Sequence, residues 1–328
     1  MPSGHFGLCT EVTPQCPVQA TTLGYYPNRG ANVFFAVVFG ICTLVTFLVG
    51  VNRKTWTFAF AVTAGFALET VGYIGRIILH NNPWSSTGFK IQIVCLILAP
   101  TLICAGIYLT LKHIALAISP HLSRLNPRLY TWLFIPFDIF CLVLQGVGGG
   151  VDASAETHPK LLPTGNNIII SGIVLQVVIL SIFGLLSVDF FYRAKRYHGR
   201  DGDGDGDGDG EVVMGKKREQ ARVWRDRKFR IFVGAVSLAY LGILIRIAEM
   251  SGGWGNPVMQ NEGLFIALEG VMVLYPAVLL SIFPPGIFFP QMSKLRSDYG
   301  KETALNEQSS SASLREGVSS GVEAGKAQ

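Results

Sequence analysis

The sequence predicts an all-α membrane protein of seven transmembrane helices, with the N-terminus exoplasmic and the C-terminus cytoplasmic. Three observations carry that expectation. Mean hydropathy is +0.40, and 49% of residues are hydrophobic while only 15% are charged, where soluble domains carry about 25%. Seven apolar runs follow one another, each near the ~20 residues that cross a ~30 Å hydrocarbon core as a helix. Lys and Arg gather on alternate loops, the asymmetry that places the basic side in the cytoplasm. A soluble reading of 328 residues would need two domains, and no pair of amphipathic halves is visible.

The runs are Asn32–Val51, Trp56–Leu79, Gln92–Ile118, Tyr130–Val151, Asn167–Phe190, Phe229–Met250 and Gly263–Phe283. The third and fifth exceed the bilayer and should tilt or project beyond it. The first, third and fifth loops and the tail hold Arg53, Lys54, Lys112, Arg124, Arg128, twelve Lys/Arg between Phe191 and Arg230, and five more in the tail. The other side holds only Arg29, Lys90 and Lys160. The net charge of +5 and pI near 8.9 therefore point to inner-leaflet lipid as partner, not to nucleic acid.

Residues 1–31 form a polar exoplasmic segment without the charged and apolar regions of a cleaved signal peptide. Cys9 and Cys16 lie there on the oxidising side; their spacing permits a disulfide and equally permits free thiols. Cys42, Cys95, Cys104 and Cys141 fall in apolar spans and read as small buried hydrophobes. No Cys/His cluster suggests a metal. After helices 1–5 (32–190), residues 191–228 form a basic cytoplasmic loop. Its Asp-Gly repeat, 201–210, reads as a flexible linker. The following Gly210–Lys217 nearly spells a phosphate loop, but Lys217 stands where Ser/Thr is required and no strand precedes it, so no nucleotide is expected. The run 216–230 should lie against anionic inner-leaflet lipid. Helices 6 and 7 occupy 229–283, and the Ser- and Gly-rich tail, 284–328, is expected to be disordered.

Charged and amide side chains within the spans suggest a site, because such groups are costly in a bilayer and normally face a bundle interior. In the second span Glu69, Gly72, Tyr73 and Arg76 share a helix face; Arg76 either joins the site or snorkels to the outer headgroups. The fourth span places Asp138 and Gln145 on one face and follows with glycines, among which Gly146 and Gly150 have the spacing of a close helix contact. The fifth carries Gln176. Arg246 and Glu249 close the sixth, and Glu262 and Glu269, seven residues apart, share a face of the seventh. With alternating helix directions, these residues lie at compatible heights for one outward-facing polar cluster. Acids outnumber the two arginines, which suits a cation or requires protonated carboxyls. The expected occupant is the head of an amphipathic, amine-bearing lipid whose tail stays in the bilayer.

Several stretches resemble, in order, the fungal lipid-translocating exporter family, the RTA-like proteins named for resistance to aminocholesterol. They are YYPNRGANVFF (Tyr25–Phe35), ETVGYIGR (Glu69–Arg76), Ala99-Pro100 with Tyr108, DIFCLVLQGVGGG (Asp138–Gly150), GIVLQ (Gly172–Gln176) and RIAEMSGGWGNPVMQNEG (Arg246–Gly263). Two departures are Glu269, where the family more often has Asp, and Pro284, where a His-Pro-Gly sequence is common. The resemblance implies a seven-helix plasma-membrane protein tied to export of sphingoid bases or sterol analogues and to drug tolerance. An enzyme is not expected, because the spans hold no His-rich metal set and no Ser/His pair, and no cofactor is expected.

A seven-helix receptor or sensor is the competing class. The third helix ends in KHIA without an acidic-Arg-Tyr motif, and the seventh lacks N-P-x-x-Y. A retinal protein needs a Schiff-base lysine in the last helix, and Gly263–Phe283 has none. The charge asymmetry makes a testable statement about orientation. An epitope tag placed before Cys9 will be reached by antibody on intact cells, and one after Gln328 only once the cells are permeabilised; the reverse staining would invert the topology.

Overall fold

The apolar runs become seven long helices in the computed structural model, which describes residues 9–21, 23–118, 124, 127–154, 162–200, 222–250 and 261–288. They are α1 (Arg29–Asn52), α2 (Trp56–Asn81), α3 (Ser86–Ile118), α4 (Pro127–Ser154), α5 (Leu162–Arg200) and α6 (Arg227–Met250), followed by α7. The seventh is built of three consecutive pieces, Glu262–Phe265, a π-helical turn at Ile266–Val271, and Met272–Ile282; a short turn, α8 (Pro285–Phe288), follows. Each expected span falls within one helix, except that Phe283 sits just past the end of α7. All seven are long and apolar enough to cross a membrane, and the chain is a multi-pass membrane protein. No strand occurs among the described residues.

Local chemistry sets the helix ends. Asn28 caps α1, its Oδ1 accepting from the Ala31 amide at 3.1 Å; Asn261 caps α7 by accepting from Gly263 at 3.0 Å and Leu264 at 3.3 Å. Both satisfy amides that a helix start leaves without intrahelical partners. Between α1 and α2 the chain reverses through Lys54 in the left-handed region, φ 57°, and the Thr55 amide donates to the Gly50 carbonyl at 3.1 Å. α3 has 33 residues and α5 has 39. At 1.5 Å per residue these reach roughly 50 and 58 Å, beyond the bilayer.

Consecutive helices pack as neighbours: α1 with α2, α2 with α3, α4 with α5, α6 with α7. α3 also touches α4, α5 and α6, and α1 meets α7, which closes the bundle. The central place of α3 shows in burial: 61% of its apolar window lies inside, against 28% for α4. α1, at the periphery, turns Phe34, Val37, Ile41, Leu44 and Leu48 outward and Asn32, Phe35, Phe39, Cys42 and Thr46 inward. An apolar outer face is what hydrocarbon solvent demands.

Small residues permit the closest crossings. A Cβ on Gly75 of α2 would come within 2.9 Å of the Gln92 amide nitrogen and 3.0 Å of the Gly88 carbonyl on α3. On α4, the contact expected at Gly146 and Gly150 falls instead on Gly148. Its Cβ would lie 2.8 Å from the Ile169 nitrogen and 2.9 Å from the Gly165 carbonyl, whereas one on Gly146 or Gly150 would meet nothing within 4 Å. Spacing finds a face of small residues; the crossing angle decides which of them touches.

At the N-terminal end a disulfide joins Cys9 and Cys16, with Cα atoms 5.9 Å apart. The loop it closes rests on the α2–α3 connection. Trp84 Nε1 donates to the Cys16 carbonyl at 3.3 Å and Asn82 Nδ2 to the Thr10 carbonyl at 2.8 Å. At the other end Asp189 of α5 receives Arg124 and Arg193, each Nε at 3.0 Å. The Asp-Gly repeat 201–210, the phosphate-loop look-alike 210–217, residues 216–221 of the basic run, and 289–328 of the tail lie outside the described residues.

The crossings predict that Gly75→Leu and Gly148→Leu will each destabilise the detergent-solubilised protein by about 1–3 kcal/mol, the usual cost of forcing volume into a packed interface. Gly146→Ala should be neutral or slightly stabilising. Thermal unfolding followed by size-exclusion chromatography reads both.

Candidate functional site

The interior of the bundle contains a set of polar groups that water does not reach. Glu69 and Arg76 are 0% exposed, Arg246, Glu269 and Asp138 each 3%. α2 contributes the stripe Glu69–Tyr73–Arg76, because residues three and four apart stack on one helix face. The Tyr73 ring stacks on Phe35 (centroids 5.0 Å) and Phe39 (5.6 Å) of α1, which fixes that side of the stripe.

Opposite it, α6 presents Arg246 and α7 presents Glu269, and the two form an ion pair through Arg246 Nη2 and Glu269 Oε1. The same Nη2 donates to the Leu96 carbonyl of α3 at 2.7 Å. Glu69 lies within electrostatic reach of both Arg246 and Glu269. Neither of its carboxylate oxygens has a hydrogen-bond partner, nor does Arg246 Nε. Two acids thus share one guanidinium, and only one is hydrogen-bonded to it.

Arg76 is held separately. Its Nε donates to Asn32 Oδ1 at 3.0 Å and Nη2 to the Tyr25 hydroxyl at 3.2 Å, and its guanidinium lies 3.7 Å over the Phe265 ring centroid. This is a cation–π contact in a desolvated setting. Arg76 therefore joins the interior and does not snorkel.

Beside Arg246 runs a chain of neutral polar groups across three helices. Gln145 Nε2 of α4 donates to Gln176 Oε1 of α5 at 3.1 Å, and Gln176 Nε2 donates to Thr101 Oγ1 of α3 at 2.9 Å. Two narrow gaps flank the ion pair. One lies among Gln145, Gln176 and Arg246; the other reaches Glu269 past Gln92 and Phe265; Ile97 and Met250 line both. Each has a cavity volume of only about 10 Å³, room for about one water molecule and far below the ~300–1,000 Å³ usual for a small-molecule site.

Three of the residues grouped in the sequence lie elsewhere. Asp138 faces Tyr108 of α3 in a second pocket of polarity with Cys104 and Tyr240, and neither of its oxygens has a hydrogen-bond partner. Glu262 accepts from the Asn28 amide at the start of α1, a placement that favours a carboxylate at a helix N-terminus. Glu249 is half-buried and lines neither gap. The shared face expected for Glu262 and Glu269 is broken by the wide turn Ile266–Val271, whose i→i+5 pattern departs from the 3.6-residue period. Tyr25, Asn32, Gln92, Thr101 and Phe265 belong to the polar interior and were not singled out. Asn32 had a legible signal, an amide inside an apolar span.

Among the described residues, no group of three or more His, Cys, Asp and Glu is arranged to hold a metal. The buried pair predicts a specific stability pattern. Arg246→Met alone should cost about 3–5 kcal/mol by leaving Glu269 buried without its counter-charge, while Arg246→Met with Glu269→Leu should cost less than the single change. Thermal unfolding of the three proteins in one detergent measures the coupling.

The family model described as RTA1 like protein matches residues 62–292, a segment that contains Glu69, Arg76, Gln145, Gln176, Arg246 and Glu269. The chain is 29% identical over 282 residues to a Saccharomyces cerevisiae protein named sphingoid long-chain base transporter RSB1, covering 81% of this chain and 74% of that one. It is 24% identical over 298 residues to the lipid-translocating exporter-like protein RTA1 of Leptosphaeria maculans, covering 85% and 53%. It is 29% identical over 233 residues to protoporphyrin uptake protein 1 of Saccharomyces cerevisiae, covering 69% and 67%. No solved structure matches it.

Proposed function

Because the chain belongs to the RTA1-like family, we propose that it moves amphipathic lipids across a bilayer, with sphingoid long-chain bases as the substrate class, and that it acts as a transporter and not as an enzyme. One observation carries this reading: a water-excluded cluster in which Glu69 and Glu269 face a single Arg246. A cluster with more acid than base has chemical room for a cation. An ammonium head next to two hydroxyl groups is the polar part of a sphingoid base. Glu69 and Glu269 offer acceptors to the ammonium, and the Gln145–Gln176–Thr101 chain offers both donors and acceptors to hydroxyls. The lipid tail has a low-cost place in the hydrocarbon outside the bundle, so only the head need enter.

The remaining parts of the reading follow from charge. The disulfide of the N-terminal loop is consistent with an oxidising exterior, and the basic run 216–230 with an anionic inner leaflet. A plasma membrane location fits both. Names of relatives with lipid and with protoporphyrin cargo share an amphipathic substrate, which favours transport over a sensor that binds without moving its ligand.

Purified protein in nucleotide-free liposomes, given a labelled long-chain base in one leaflet, tests the proposal. Transbilayer movement should accelerate over empty liposomes. Glu269→Gln should slow it about tenfold, the loss of ~1.4 kcal/mol of interaction with the head. Binding of the base with no movement would favour the sensor, and an unaffected Glu269→Gln protein would remove the cluster from the mechanism.

A further inference from the structure

Glu69 poses a charge problem that its surroundings do not solve. Its side chain is fully buried, and both carboxylate oxygens lack hydrogen-bond donors. The charged or titratable groups that bear on it are few among the described residues. They are Tyr73 on its own helix, Cys95 on α3, Arg246 on α6 and Glu269 on α7. Tyr73 and Cys95 are neutral weak acids and supply no positive charge. Arg246 supplies one, and it is hydrogen-bonded to Glu269 and the Leu96 carbonyl. Arg76 lies seven residues further along α2, about 10 Å by helical rise, and is engaged by Tyr25, Asn32 and Phe265. With Glu269 and Arg246 cancelling, an ionised Glu69 would be a lone buried anion. Such a group takes up a proton before it tolerates that state.

Resting on the transport reading above, we propose that Glu69 carries a proton in the substrate-free protein and exchanges it for the ammonium head of the lipid, making the protein an amine–proton exchanger. In the step, the Glu69 carboxyl O–H bond breaks, the proton leaves to water, and the carboxylate left behind pairs with the incoming R–NH3⁺. No electron moves, and the charge of the cluster is the same before and after. Charge neutrality is the reason for coupling. The base cannot enter as a cation without displacing a proton, and the proton cannot leave without a cation to replace it. A gradient of protons across the bilayer therefore drives a gradient of base.

The sign of the pH dependence follows. The free protein holds the proton and the complex does not, so the association constant rises with pH, tenfold per unit for one proton released, until the amine itself begins to lose its charge.

Two measurements on the full chain in lipid nanodiscs test this. In weakly buffered solution with a pH-indicator dye, titration with a sphingoid long-chain base should release about one proton per base bound. Glu69→Gln, which mimics the protonated side chain, should bind more weakly and release none. Separately, the wild-type affinity should rise about tenfold per pH unit, a readout that needs no variant and stands even if Glu69→Gln does not fold. Binding without proton release and without pH dependence overturns the exchange while leaving the transport reading intact. Proton release that persists in Glu69→Gln assigns the proton elsewhere and overturns the role of Glu69. Absence of any binding by the wild-type protein overturns both readings together.

Discussion

The Arg246–Glu269 ion pair is the interaction on which the rest of the interior depends. An arginine buried within a transmembrane span is costly unless a counter-charge offsets it. Glu269 does so from α7, and the Leu96 carbonyl adds a contact on α3. Three helices are thereby held at one height. The wide turn at Ile266–Val271 carries Glu269, so the geometry of α7 bends to the needs of the pair. π-helical turns are often found at functional sites, and here the turn of α7 that departs from α geometry is the turn with the charge.

Packing elsewhere has to work without the hydrophobic effect between helices, since lipid tails are as apolar as the side chains they would replace. Close backbone approach takes its place. α2 and α3 meet at Gly75 and Gly88, α4 and α5 at Gly148 and Gly165. Aromatic clusters fill the remaining interior. Phe35, Phe39 and Tyr73 pack between α1 and α2, and Tyr108, Phe134 and Phe183 join α3, α4 and α5. The polar cluster is therefore walled by rings and small residues that leave little space, which is why its gaps are narrow.

Membrane segments are legible in sequence because the bilayer imposes one length and one composition, and all seven spans could be read from apolar runs alone. The site was legible only in part. Glu69, Tyr73, Arg246 and Glu269 do meet, as helical periodicity and relative depth suggested. Periodicity failed for Glu262, because a π turn is a local change of period with no composition of its own. It failed to group Asp138 with Gln145, because α4 presents one to Tyr108 and the other to Gln176, and a helix face wide enough to hold both can serve two neighbours. Asn32 and Tyr25 were hidden for another reason. They act by hydrogen-bonding Arg76 from the first helix and the segment before it, and no spacing rule relates residues so far apart in the chain.

The lack of any hydrogen-bond donor at Glu69 also bears on how the molecule is made. Synthesis runs from the N-terminus, so α2 reaches the translocon long before Arg246 or Glu269 has left the ribosome. During that interval the carboxyl group must partition into lipid before Arg246 is there to face it, and it does so at lowest cost in its uncharged form. The nascent helix and the folded bundle thus ask the same thing of that side chain, and a substitution that fixes a charge there would be felt first in biogenesis.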